Sequence, residues 1–307
     1  MMTRRRLSLS AAAAPMLAAI AGVAVLALMD AFMKGAALAT GAYSAAVFRS
    51  LVGASIALPI WLARGATWPG PDVLRLHLLR GGVSAIMALS FFYSLTKLPI
   101  AEAIAISFMA PLLALYLAHL FLGEVIRRAA IAGSVLGLIG TIVIVGGKIG
   151  SQQVDRDLLL GLAAISFSTM LYAANFVIMR KQSQVALPLE VATFHSGVGG
   201  AVLLLAAPWF LVLPAPDVLV DIACAGALTV AGAILLAWTF ARAEAQTLVP
   251  LEYTGFLWAA LFGWLFFAER VTPATSAGTV LIVIGCWLAT RPVADSAAGP
   301  GSSPPIP

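Results

Sequence analysis

The chain has 307 residues, of which 62% are hydrophobic and only 10% charged, with a formal net charge of +5 and a mean hydropathy of +1.02. A water-soluble domain carries about 25% charged residues and roughly half apolar ones. This composition therefore excludes a soluble fold and points to an integral membrane protein in a lipid bilayer. The basic residues are scattered between apolar runs, which argues against nucleic acid as a partner, and Cys224 and Cys286 lie singly inside such runs. Two isolated thiols supply neither a disulfide framework nor a metal cluster.

Residues 1–13 form a basic N-terminal segment with Arg4, Arg5 and Arg6 ahead of an apolar stretch. Such a start is read either as a signal peptide or as the anchor of a retained first helix; the many spans that follow favour the anchor. Ten apolar runs come next, approximately 14–37, 44–63, 76–96, 99–121, 127–147, 157–179, 188–208, 216–239, 247–267 and 273–291. Each has about the 20 residues a helix needs to cross hydrocarbon, and unbroken runs of that length are not the short alternating strands of a barrel. The tail, 292–307, is rich in Pro, Gly and Ser and is expected to be disordered.

Ten spans put both termini on one side. With the N-terminus inside, twelve Lys or Arg between Arg4 and Arg291 fall on the cytoplasmic side, against Lys97, Lys148, Arg156 and Arg270 on the other. The positive-inside rule then predicts both termini in the cytoplasm of a bacterial-type inner membrane.

An internal repeat runs through the chain. A shift of 145 residues lays Lys97 on Arg242, Glu124 on Glu269, Gly133 on Gly278 and Gly140 on Gly285, while a shift of 146 lays Val47–Gly53 on Thr193–Gly199 and Lys34 on Arg180. Residues 14–147 and 157–291 thus form two five-helix repeats. Five is odd, so the second repeat enters the membrane from the opposite face, the sequence signature of secondary transporters. The expected fold class is an all-α membrane protein of ten transmembrane helices in two inverted five-helix repeats.

The repeated helix ends FLGE, closing at Glu124, and FFAE, closing at Glu269, resemble those of the drug/metabolite transporter superfamily, in its EamA-type ten-helix branch. So do Met29–Lys34, Phe48–Ser50 and Leu98–Leu112. The resemblance implies a central cavity lined mostly by the first, third, fourth, sixth, eighth and ninth helices, and alternating access without ATP. It is specific for the superfamily and does not name a substrate.

Charges inside the spans are costly and mark candidate sites. Glu252 stands about 8 Å inside span nine at 1.5 Å per residue, two residues after Pro250, whose missing N–H permits a kink. It either faces the cavity, binding a cation or accepting a proton, or sits at the rim and pairs with Arg242 or another base. Asp30 and Lys34, four apart on one helical face, either neutralise each other or close an outer gate together with Arg49. His195, the repeat partner of Arg49, is read as the mirrored inner gate or as a packing residue. Glu102 reads as a helix N-terminal charge, and Glu124 and Glu269 as braces of the last turn in each repeat.

Tyr93, Trp238, Tyr172, Tyr253, Trp258 and Phe108 are candidate ligand-stacking aromatics, with Ser107 and Asn175 as hydrogen-bonding partners; lipid contact is the alternative for each aromatic. Gly133, Gly137, Gly140, Gly278 and Gly285 are read as close helix packing, within a monomer or across a homodimer. No HExxH, GxSxG or CxxC occurs, so no enzyme, metal or cofactor is expected. The expected function is secondary active transport of a small polar metabolite (an amino acid, amine or nucleoside-like compound) with protons as candidate coupling ion. A drug- or lipid-handling exporter and a non-transporting scaffold are the rival readings.

Overall fold

The computed structural model describes residues 4–122, 128–151, 155–182, 184–240, 251 and 253–290. Glu124, Arg242, Pro250 and Glu252 of the sequence reading lie outside the described residues, as does the tail. The described chain is all α-helical: α1 (Arg4–Thr40), α2 (Ala42–Ala63), α3 (Pro71–Leu95), α4 (Ile100–Ser107), α5 (Ala110–Leu122), α6 (Arg128–Ser151), α7 (Arg156–Gln182), α8 (Pro188–Leu204), α9 (Ala207–Phe210), α10 (Pro216–Phe240), α11 (Gly255–Phe267) and α12 (Pro273–Thr290). Hydrocarbon offers the backbone no hydrogen bonds, so each N–H and C=O must be satisfied within its own segment. Among the described residues, five helices meet the length and apolarity needed to cross a membrane by themselves, Ala14–Thr40, Ala42–Ala63, Pro71–Leu95, Arg156–Met179 and Pro216–Leu236. Shorter apolar stretches lie at Ile100–Ala114, Ile131–Gly147, Gly255–Phe267 and Pro273–Gly285. Leu120, Leu205, Trp264 and many other large apolar side chains are exposed, as a lipid-facing surface requires.

The helix boundaries follow local chemistry. Gly41, at φ 87°, makes the turn between α1 and α2, and Gly65, at φ 76°, ends α2; both backbone conformations suit a residue without Cβ. Helices α3, α8, α10 and α12 each begin with proline, whose absent N–H is one of the unsatisfied first-turn donors anyway. Two expected spans are interrupted. Span four divides at Phe108–Met109, where Met109 N bonds Ile106 O in a tighter turn. The cause is Pro111, which has no N–H to give to the carbonyl four residues back. Span seven ends early, at Leu204 rather than residue 208, because Pro208 cannot continue the ladder and starts only the short α9.

The packing is two-fold. Helix α1 packs on α10 as α7 packs on α3, α2 on α10 as α8 on α3, and α1 on α11 as α7 on α5. The remaining large contacts, α2 on α8 and α6 on α12, pair each helix with its own repeat partner, so a pseudo-two-fold axis passes through both. Individual residues repeat the relation. A Cβ on Gly81 would stand 2.5 Å from Val198 Cγ1, and a Cβ on Gly226 would stand 2.5 Å from Val52 Cγ1. Gly81 and Gly226 are repeat partners, and so are Val52 and Val198.

At the second axial contact the backbones themselves touch. A Cβ on Gly140 would lie 2.5 Å from Gly278 O, and Cβ atoms on Gly278 and Gly285 would collide with Gly140 O and Gly133 O. A Cβ on Gly137 would meet Leu112 and Met109. Gly278→Val therefore forces α6 and α12 apart and destabilises the protein by about 1–3 kcal/mol. It is read as a lower thermal unfolding midpoint in detergent. Gly146→Val, at a position with nothing within 4 Å of the added Cβ, leaves the midpoint unchanged.

Candidate functional site

Polar side chains join the two repeats near both faces of the bundle and meet again between them. At the face carrying the Gly41 turn, Lys34 of α1 forms an ion pair with Glu269 and donates from Nζ to Leu98 O at 2.7 Å. The other carboxylate oxygen of Glu269 accepts the Ile100 N–H at 2.9 Å. That donor is one of the unsatisfied first-turn groups of α4, at the end where the helix dipole favours a negative charge. A single carboxylate thus neutralises a buried ammonium and caps a helix of the other repeat.

Glu269 reaches this position through a backbone turn. Helix α11 ends on Ala268 in the left-handed region, φ 53°, which costs a residue with a Cβ about 1–2 kcal/mol. The turn brings Glu269 N to Gly263 O at 3.1 Å. Its carboxylate then folds back over Gly263, where a Cβ would stand 2.6 Å from Oε2. On the same face Lys97 donates to Asp157 at 2.8 Å, a hydrogen bond that raises the ammonium pKa above the ordinary lysine value. This pair is exposed and screened, and contributes little to stability.

Near the Gly65 face, His77 and Arg80 of α3 meet α7 and α8. His77 Nε2 lies 2.8 Å from Glu190 Oε1, and Gln182 Nε2 lies 2.7 Å from His77 Nδ1. Arg80 donates to Gln182 Oε1 at 2.5 Å and from Nε to Asn175 Oδ1 at 3.0 Å. Arg80 fixes the Gln182 amide with its oxygen toward the guanidinium, so the amide NH2 donates to Nδ1 and the Nε2 proton goes to Glu190. Phe194 stacks on the imidazole at 4.3 Å between centroids, with Trp61 and Trp68 edge-on to it.

Between these bridges, α2, α3, α8 and α10 enclose a small cavity lined by Arg49, Ser50, Ser84, Ala85, His195, Ser196, Gly199 and Thr229. It has room for little more than one water. Three of the lining pairs are repeat partners: Arg49 with His195, Ser50 with Ser196, and Ser84 with Thr229. The cavity therefore lies on the pseudo-two-fold axis. Arg49 donates from Nη1 to Thr229 Oγ1 at 3.1 Å, and its guanidinium sits over the Phe92 ring at 5.1 Å.

The structure places the residues singled out in the sequence as follows. Arg49 and His195, read as gates in opposite thirds of the membrane, share this one cavity. Each stands seven residues past its helix start (42 to 49 and 188 to 195), about 10 Å deep, and the crossing of α2 with α8 brings the side chains together. Lys34, read with Asp30 and Arg49, forms an ion pair with Glu269. Asp30 remains within electrostatic reach of Arg49. Phe108 and Tyr253, repeat partners, meet edge to face at 5.0 Å, while Tyr172 stacks on Phe176 at 4.7 Å and Trp258 on Phe262 at 6.2 Å. Ser107 returns its hydroxyl to Ala103 O at 3.0 Å, and Asn175 is engaged by Arg80. Tyr93 and Trp238 are half-buried.

Sequence reasoning missed Ser84 and Thr229, although the 145-residue shift lays one on the other. It missed the His77–Glu190 bridge as well. His77 and Arg80 sit three apart on one helical face, the one sign they carry, and Glu190 in a helix's first turn looks like an ordinary dipole partner.

The Lys34–Glu269 pair is largely excluded from solvent, with side-chain exposures of 7% and 15%. Glu269→Gln should destabilise the protein by about 3–5 kcal/mol, because it removes a charge partner of a buried ammonium. Replacing both partners, Lys34→Met with Glu269→Met, should recover most of that loss. Thermal unfolding of Lys34→Met, Glu269→Met and the double variant against the parent protein, analysed as a double-mutant cycle, checks the coupling.

The model of the EamA-like transporter family matches residues 13–146 and again 159–291. The pseudopaline exporter CntI of Pseudomonas aeruginosa is 27% identical over 267 residues, covering 86% of this chain and 91% of that one. The S-adenosylmethionine uptake transporter of Rickettsia felis is 27% identical, covering 78% of this chain and 80% of its own length. The aromatic amino acid exporter YddG of Ancylobacter novellus is 29% identical over a shorter stretch, 46% of this chain and 48% of the exporter. A solved crystal structure superposes with a TM-score of 0.61 at 21% identity, over 90% of this chain and 98% of the other, a likeness of fold. Both repeats match the same family model, and the relatives carry small molecules across membranes in either direction: the chain belongs to the EamA-like transporter family of the drug/metabolite transporter superfamily.

Proposed function

We propose that the chain is a secondary carrier that moves a small polar metabolite by alternating access, with its site on the pseudo-two-fold axis. The observation that carries this reading is the placement of three repeat-partner pairs around one polar cavity, with inter-repeat bridges toward both faces. Two similar halves in opposite orientations exchange conformations, so that one bridge opens as the other holds. With both termini in the cytoplasm, Lys34–Glu269 is the outer bridge and His77–Glu190 the inner one. The relatives named for pseudopaline, S-adenosylmethionine and aromatic amino acids support amino-acid-like metabolites as the first compounds to try.

Aromatic pairs such as Phe108–Tyr253 stand at the repeat interface, where stacking on a ligand would replace stacking on each other. Glu252, at the start of span nine, is the proposed proton-coupling carboxylate, since an intramembrane acid is maintained only where it is paired or reaches water.

Counterflow in proteoliposomes, with labelled amino acids, S-adenosylmethionine and nucleosides in the presence and absence of a pH gradient, tests the proposal. Saturable exchange of a polar metabolite is the expected result, with the effect of the gradient lost in Glu252→Gln. Exchange with unchanged pH dependence in that variant assigns coupling elsewhere. Absence of exchange from folded, correctly inserted protein overturns the carrier reading.

A further inference from the structure

We infer that the axial cavity is the subsite for a carboxylate of the transported molecule, clamped by Arg49 and oriented by His195 and Ser84. The inference rests on the carrier reading for the identity of the ligand as cargo, and on the cavity's own chemistry for the group it takes. Arg49 is 7% exposed, and its Nε has no hydrogen-bond partner. Among the described residues no carboxylate stands within ion-pair distance of it. It donates instead to the neutral Thr229 hydroxyl, whose own proton is given to Ala225 O at 2.8 Å. Thr229 can therefore only accept from Arg49, and it holds Nη1 so that the Nε edge of the fork is left for a ligand.

Two further atoms of the cavity lining are buried without a partner: Ser84 Oγ and His195 Nδ1. A buried polar group left unpaired is costly. Three such atoms, on three helices, around one space constitute a built site rather than a packing fault. Their chemistry selects the ligand group. A guanidinium edge binds the two oxygens of a carboxylate in one plane, and Ser84 can donate a further hydrogen bond. The surrounding charge agrees. His195 feels both Arg80 and Arg49, and Arg80 is held by the neutral amides of Asn175 and Gln182. Asp30 is the acid that bears on Arg49 from α1. The two guanidinium groups thus outnumber the one acid around the cavity, which favours a negative group there. Closed around about one water's space, the site admits that group only when the helices part, as alternation requires.

Amino acids and the amines made by removing their carboxylates isolate this group. Purified wild-type protein in detergent should be thermally stabilised by at least one of L-tryptophan, L-histidine and L-methionine, and not by tryptamine, histamine or 3-(methylthio)propylamine. Arg49→Gln should raise the concentration for half-maximal stabilisation about tenfold or more, and Arg49→Lys by less. Size-exclusion behaviour and the unliganded midpoint report folding; should Arg49→Gln fail to fold, Thr229→Val removes only the positioning hydroxyl and should weaken stabilisation in the same order. Counterflow of the same six compounds separates the two claims. Carboxylate-dependent stabilisation without exchange overturns transport and retains the subsite; exchange of amines equal to that of acids overturns the subsite and retains transport. Absence of both stabilisation and exchange overturns both, leaving the cavity a water site.

Discussion

In hydrocarbon, helices gain nothing by hiding apolar side chains from one another, so cohesion must come from close approach of their backbones. The contact of α6 with α12 at Gly140 and Gly278 meets that condition, and much of the bundle's arrangement depends on it. A backbone touching its own repeat partner fixes an axis. The equivalent meeting of α2 with α8 fixes the same axis a second time, and the contacts of α1 and α2 with α10 are then repeated by those of α7 and α8 with α3. The glycine–valine contacts Gly81–Val198 and Gly226–Val52 show the relation holding to the level of single methyl groups.

An axis through the bundle constrains where polar groups can stand. Away from it, the repeats have diverged and form different bridges: Lys34–Glu269 at one face, His77–Glu190 at the other. Each joins one repeat to the other, so neither half can rotate without separating a buried pair. Desolvation makes such pairs weak contributors to stability relative to well-packed apolar residues, yet costly to break one-sidedly. Their expected effect is therefore on which conformations are allowed, with only a small gain in folding free energy.

The architecture was largely legible in the sequence, because ten apolar runs and a near-constant repeat offset are properties of long stretches. Where α4 gives way to α5 was less legible: Pro111 advertises a break, but the helix yields at Phe108–Met109, where the tighter turn forms. The candidate site was half legible. Arg49 and His195 stood out as intramembrane charge, yet one-dimensional depth put them in opposite thirds, because helix crossing and side-chain reach are not written in spacing. Lys34 had a nearer acid at Asp30, and its choice of Glu269 follows from the left-handed turn at Ala268, which no charge count reveals. Ser84 and Thr229 escaped notice because a hydroxyl in an apolar helix usually bonds back to its own carbonyl ladder.

The divergence of the axial pairs has a further consequence. Two identical half-sites on a two-fold axis would bind a symmetric ligand best. Here the pairs keep their class and change their chemistry: Arg49 faces His195, and Ser84 faces Thr229. The cavity thus offers a fixed cation on one side and a neutral-capable ring on the other, while the scaffold around them, Ser50 with Ser196 and Gly53 with Gly199, stays matched. In the proposed carrier, matched packing would permit the two halves to exchange shapes, and unmatched polar groups would give an asymmetric molecule one orientation in which to bind. A carrier built from inverted repeats needs both properties, and adjacent positions on the helices around this cavity would supply them.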